Sequence, residues 1–281
     1  MVSGEQRRKQ LAREKRQRRL DKERAAQRRR KVRNASVAAV LAMVLAGSVV
    51  WAGVSAFTGT SDPADTAATG DGGEEREAKD PCEKPAGGEP NGKQWDKEPK
   101  VSIDEDASYR MKLATTCGDI ELTLDAEKAP RTVNSFNFLA GEGYFDHTRC
   151  HRLVDQGIHV LQCGDPTGTG QGGPGYNIPD ENLDAPEVQD DVYPAGTVAM
   201  ANTYNAQQDE GRDTGGSQFF LVYEDSPLPP DYTPFGTIGE GAKGMDVLRK
   251  IAEAGSYDNE EISATSPNAT VVINKATVSA D

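Results

Sequence analysis

Apolar and polar positions alternate in two short runs, Tyr109–Thr115 and Ile120–Leu124, around Cys117-Gly118-Asp119. Period-two alternation across a turn predicts a β-hairpin. The period changes at Pro130–Leu139, where Val133, Phe136, Phe138 and Leu139 supply one apolar helical face. Proline suits a first helical turn, and Gly141 can end the helix. Beyond it the apolar runs are short and broken by Gly, Pro and Asn. Gly196–Ala201, Ser217–Tyr223, Thr233–Ile238 and Thr270–Ala276 predict strands, and Met245–Ala254 predicts a second helix closed by Gly255. Many short strands with two helices favour a mainly β barrel or sandwich over parallel βαβ winding. The chain has no internal repeat.

The N-terminal third follows different rules. Residues 34–61 contain no charged side chain and are mostly apolar. That length suits one transmembrane helix. Residues 1–33 hold fifteen Lys or Arg and four Asp or Glu, a net of +11, while the whole chain is −13. The positive-inside rule places this basic arm in the cytoplasm and the rest of the chain beyond the cell membrane. A cleaved signal peptide and a soluble core helix are the competing readings; the arm is long for a signal, and Val54-Ser55-Ala56 is a weak cleavage site. The arm has no aromatic residue, so anionic lipid headgroups explain its cations better than nucleic acid does. Residues 62–100 are rich in Pro, Gly, Asp, Glu and Lys, which predicts a disordered linker. The organisation is thus an arm (1–33), a span (34–61), a linker (62–100) and a globular domain (101–281).

The densest chemistry lies in Cys150–Gly175. Cys150, His151, His159 and Cys163 match no usual zinc spacing, and there is no C-x-x-C. The glycine run Gly168–Gly175 lacks a Lys-Ser/Thr pair for phosphates. Cys150 and His151 would diverge on a strand, which argues against a nucleophile–base pair. No metal or cofactor is expected. Four cysteines, at 82, 117, 150 and 163, all follow the predicted span. In an oxidising compartment an even count suggests disulfides, with three pairings possible, and four free thiols is the other reading.

Read together, distant segments carry more information. His151–Leu153 (HRL), Gln162–Tyr176 (QCGDPTGTGQGGPGY), Gly196–Asn202 (GTVAMAN), Gly216–Tyr223 (GSQFFLVY) and Tyr232–Ile238 (YTPFGTI) resemble the cyclophilin family in order and spacing. Pro130–Ala140 matches that family's first helix, and the resemblance covers residues 107–279. It implies an eight-stranded antiparallel β-barrel capped by two helices. It also implies cis-trans isomerisation of peptide bonds preceding proline, with proline-containing polypeptides as partners. Such a reaction needs no nucleophile. Amide resonance sets a barrier of about 18–20 kcal/mol, so the site must withdraw the nitrogen lone pair and hold the twisted state. A permanently charged, planar guanidinium suits that task.

By resemblance, Arg152 is the catalytic residue. Gln162, Ala201, Asn202 and Gln218 would hold the peptide, and Phe220 would wall the proline pocket, with Leu228 and Tyr232 beside it. Phe219 and Met200 would face the core. The sequence departs from the family in places. The segment between Arg152 and Gln162 is longer, and the usual Phe-Met pair becomes His159-Val160, which leaves Ile158, His159 and Val160 as candidates for the pocket floor. The loop Thr203–Asp213 is longer and polar. The usual tryptophan aligns with Pro227, which predicts weakened cyclosporin affinity, and the late histidine aligns with Tyr232. The same resemblance favours a Cys150–Cys163 disulfide between neighbouring strands, with Cys82–Cys117 tethering the linker. The resulting expectation is an isomerase that assists folding of exported proteins. The alternative is a catalytically weak cyclophilin-like chaperone or scaffold.

Overall fold

The computed structural model describes residues 80–280. The basic arm, the expected span and residues 62–79 of the expected linker lie outside them. Among the described residues no helix is long and apolar enough to cross a membrane.

The opening hairpin is β1 (Ser108–Thr115) and β2 (Gly118–Asp125). Thr115 pairs with Gly118, so the turn is Thr116-Cys117, one residue earlier than the alternation suggested. Tyr109, Met111 and Leu113 face inward with Ile120, Leu122 and Leu124. Seven more strands join this hairpin: β3 (Thr148–Arg149), β4 (Arg152–Val154), β5 (Val160–Cys163), β6 (Thr197–Met200), β7 (Phe219–Val222), β8 (Pro234–Ile238) and β11 (Val272–Ala280). Their order is β3-β11-β1-β2-β8-β6-β7-β5-β4, and every pairing is antiparallel. Eight strands were expected and nine segments form. The reason is local: β3 and β4 are consecutive pieces of one stretch, interrupted at Cys150-His151, and they sit at opposite ends of the order.

A separate hairpin, β9 (Ser256–Asn259) with β10 (Ala264–Pro267), covers that interruption. Thr265 Oγ1 donates to the Leu153 carbonyl, and Ser266 Oγ donates to that of His151 at 2.8 Å. Its residues are too polar to show an alternating pattern, and the sequence reading missed it.

Two α-helices complete the domain. Helix α1 (Pro130–Gly141) buries Val133, Phe136 and Leu139, and helix α2 (Met245–Glu253) buries Met245, Val247, Leu248 and Ile251. Ala129 cannot cap α1 with its side chain. Glu181, fifty residues away, does so instead. Its carboxylate accepts from the Arg131 and Thr132 N–H groups at 3.1 and 2.9 Å, and from Thr132 Oγ1 at 2.7 Å. Phe136 reaches the centre of the main core, where its ring meets Phe145 at 5.3 Å, Phe219 at 5.4 Å and Phe235 at 4.6 Å.

Residues 80–100 differ from the free linker expected there. They form no helix or strand, yet they are fixed along the domain. Cys82 is joined to Cys117, and the Glu83 N–H donates to the Thr116 carbonyl at 2.8 Å. Trp95 packs edge-on against Phe138, and Glu98 pairs with Arg131. Composition predicted the lack of regular structure; tertiary contacts supply the order that composition cannot show.

Candidate active site

Strand register builds the site. Arg152 lies opposite Gln162, Gln162 opposite Phe220, and Phe220 opposite Ala199. These side chains share the outer face of the sheet, while Leu153, Leu161, Phe219 and Leu221 point into the main core. The Phe219-Phe220 pair therefore divides its labour. Phe219 fills the core, and Phe220 belongs to a second, smaller apolar cluster with Val160, Val188, Tyr193 and Val222.

On that face a cavity of about 230 Å³ opens. Its lining is Arg152, Ile158, Val160, Gln162, Ala201, Asn202, Phe220, Leu228 and Tyr232. Of the three floor candidates, Ile158 and Val160 line it and His159 does not. Alternation turns His159 the other way, where its ring packs on Tyr223 at 5.6 Å and its backbone N–H donates to Ser226 Oγ at 2.8 Å. Pro227 is exposed and stands outside the lining, and Leu228 takes that wall.

A chain of hydrogen bonds fixes the polar side. Arg152 Nη1 donates to Gln162 Oε1 at 3.2 Å, Gln162 Nε2 to Gln218 Oε1 at 2.9 Å, and Gln218 Nε2 to the Gly172 carbonyl at 2.9 Å. Gly172 is held in turn by Asp165, which is fully buried. The Asp165 carboxylate accepts from the N–H groups of Thr167, Thr169, Gly170 and Gly172. Burial alone would raise its pKa; these bonds outweigh burial and hold it below the ordinary carboxylate value. A Cβ at Gly172 would fall 2.0 Å from Asp165 Oδ1, so only glycine allows this close approach.

The charge balance at Arg152 is unusual. Among the described residues no carboxylate lies within ion-pair distance of it. Burial lowers its guanidinium pKa, an effect opposed by Tyr232, but arginine remains charged. The site thus holds a half-buried cation whose remaining N–H donors have no anionic partner among the described residues. His151, next in sequence, is held differently. Its ring is buried, both nitrogens lack hydrogen-bond partners among the described residues, and burial lowers its pKa, which favours the neutral ring.

The disulfide Cys150–Cys163 ties β5 to the residue just before His151, beside Arg152 and Gln162. On the apolar side, Tyr193 has a role that sequence reasoning missed. Its buried hydroxyl donates to the Tyr232 carbonyl at 2.6 Å and accepts the Tyr232 N–H at 3.1 Å. That clamp holds the Tyr232 ring edge-on to Phe220 at 5.4 Å. An aromatic residue just before Pro194 was the available signal, but its partner lies thirty-nine residues away. Burial, then nearby Asp231, raises the Tyr232 pKa, so its hydroxyl stays protonated. Asn202 Nδ2 donates to the Asp231 carbonyl at 2.8 Å. The longer polar loop is braced as well: Arg212 pairs with Asp231 and stacks 3.4 Å over the Tyr204 ring.

Comparison with known proteins decides the family. The model of the cyclophilin type peptidyl-prolyl cis-trans isomerases matches residues 110–278. The chain belongs to the cyclophilin family. Among its relatives, a probable peptidyl-prolyl cis-trans isomerase B of Mycobacterium leprae is 47% identical over 164 residues, covering 56% of this chain and 52% of that protein. The peptidyl-prolyl cis-trans isomerase B of Bacillus subtilis is 41% identical over 143 residues, covering 48% of this chain and 91% of that protein. The chain spans about half the length of the mycobacterial relatives it matches. A crystal structure of a cyclophilin type isomerase from Cryptosporidium parvum superposes with a TM-score of 0.50 at 26% identity, over 62% of this chain and 99% of that one. Arg152, Gln162, Phe220 and the small cavity between them all lie within the matched residues.

Proposed function

We propose that this cyclophilin is a peptidyl-prolyl cis-trans isomerase whose catalytic residue is Arg152. One observation carries the reading: a guanidinium with no carboxylate partner among the described residues borders a cavity sized for a small ring and walled on one side by Phe220, Leu228, Ile158 and Val160. The proline ring packs against Phe220, Leu228, Ile158 and Val160. Gln162 and the Ala201-Asn202 segment hold the flanking peptide. As the bond twists, the prolyl nitrogen loses resonance and gains a localised lone pair. A guanidinium N–H then donates to that nitrogen more strongly than to the planar amide. Selective stabilisation of the twisted state lowers the barrier. Gln162 keeps the guanidinium aimed, and Asp165 keeps the loop beneath Gln218 in place. No proton is transferred, so neutral His151 is compatible with the reaction. The intact Arg152–Gln162–Gln218 chain favours an enzyme over a merely binding module.

We infer further that the domain works beyond the cell membrane on exported polypeptides, anchored by residues 34–61 with the basic arm on anionic headgroups. The charge asymmetry supports this, and two disulfides suit an oxidising compartment. A membrane-impermeant thiol reagent applied to intact cells should label Thr69→Cys and spare Ser3→Cys; the reverse pattern would sink this placement.

Catalysis is tested by exchange spectroscopy on an Ala-Pro peptide with the full chain present. Uncatalysed interconversion takes about tens to hundreds of seconds. Exchange within the spectroscopic window at micromolar protein is expected, and an unchanged rate would defeat the isomerase reading.

A further inference from the structure

Residues 91–99 cross the outer side of the glycine-rich loop that follows β5. Trp95 is their anchor: its ring meets Phe138 at 5.1 Å and Tyr144 at 5.8 Å, and its backbone N–H donates to the Pro174 carbonyl at 2.8 Å. On one side of it, Asn91 donates to the Glu142 and Gly143 carbonyls at 3.0 and 2.8 Å. On the other, Asn134 donates to the Pro99 and Lys100 carbonyls at 3.3 and 3.1 Å. The loop is shaped for this contact. Gly175 has φ +88°, and a Cβ there would press on the Trp95 carbonyl oxygen at 2.8 Å.

This strap places Gln94 at a second cavity, of about 550 Å³, where its Nε2 lies 3.5 Å from the Gly173 carbonyl. The second cavity shares Gln162, Ala201 and Asn202 with the small cavity beside Arg152, so the two adjoin. A polypeptide with its proline beside Phe220 has its flanking residues directed along such a groove. Among the described residues no charged side chain lines the second cavity. An ionised flanking residue would lose hydration there without a counter-charge. Glutamine, asparagine or serine could instead exchange hydrogen bonds with Gln94, Thr203, Thr214 and the loop backbone.

We propose that residues 91–99 are a fixed wall of the substrate groove, and that Gln94 is a specificity-determining contact favouring uncharged polar residues next to the proline. The proposal rests on the isomerase reading for the identity of the bound segment. Its test uses the full chain and calorimetric dissociation constants, which do not depend on turnover. Loss of catalysis and loss of this specificity are therefore told apart. One peptide is a blocked Ala-Pro tetrapeptide that fills the small cavity alone. The others are decapeptides with the same centre and serine-glutamine, lysine or glutamate flanks.

Gln94→Ala should weaken the serine-glutamine decapeptide about fivefold, as expected for one lost hydrogen bond. The tetrapeptide should change much less. Gln94→Glu should raise affinity for lysine flanks relative to glutamate flanks, an effect that a purely structural strap would not produce. Equal weakening of short and long peptides would overturn the proposal. So would decapeptide affinities and flank preferences that ignore residue 94.

Discussion

Replacing Arg152 with alanine should cut kcat/KM for an Ala-Pro peptide by about 10²–10³, the usual cost of deleting a donor aimed at transition-state charge. The same variant should bind the peptide almost as well as the unaltered protein. The apolar wall of Phe220, Leu228 and Val160 is untouched, and the planar amide nitrogen of the ground state is a poor acceptor. Loss should therefore fall on kcat. Arg152→Lys should recover little, because an ammonium cannot donate to Gln162 and reach the substrate through one rigid fork. Folding is not at stake, since Arg152 stands on the outer face with no ion-pair partner among the described residues. A loss below about tenfold would assign the rate enhancement to the pocket rather than the cation.

The second large effect concerns stability. Phe136→Ala should destabilise the domain by about 3–5 kcal/mol. The ring is completely buried and touches Phe145, Phe219 and Phe235. It joins α1 to two strands and to the turn before β3, so neighbours cannot all collapse into the space. Denaturant unfolding under oxidising conditions measures the change. A loss under about 1 kcal/mol would mean the core repacks freely, contrary to its close-packed aromatic contacts.

Resemblance to the cyclophilins picked out Arg152, Gln162 and Phe220 as candidate site residues, and strand alternation, a local rule, explains why they share one face. Phe219-Phe220 had to split between two faces, and once Arg152 and Gln162 are paired, both must point the same way. His159 obeys the same rule, and that is why it leaves the pocket to Ile158 and Val160. What sequence reading missed lies in contacts between distant segments. Glu181 caps a helix that begins fifty residues earlier. Tyr193 clamps Tyr232 from an irregular segment. The strap at 80–100 reads as linker by composition, yet one cysteine, one tryptophan and one glutamate help to seat it through contacts with distant segments. The polar β9–β10 hairpin is held by hydroxyl-to-carbonyl bonds that no hydrophobic pattern reports.

The most direct test of the site asks where a proline ring sits. Intermolecular nuclear Overhauser effects should be recorded between a bound Ala-Pro peptide and the full chain. Proline ring protons should contact Phe220, Leu228 and Val160, with the Arg152 guanidinium resonances shifting on binding. Contacts to another face, with Phe220 and Arg152 unperturbed, would contradict the assignment of this cavity as the isomerase centre.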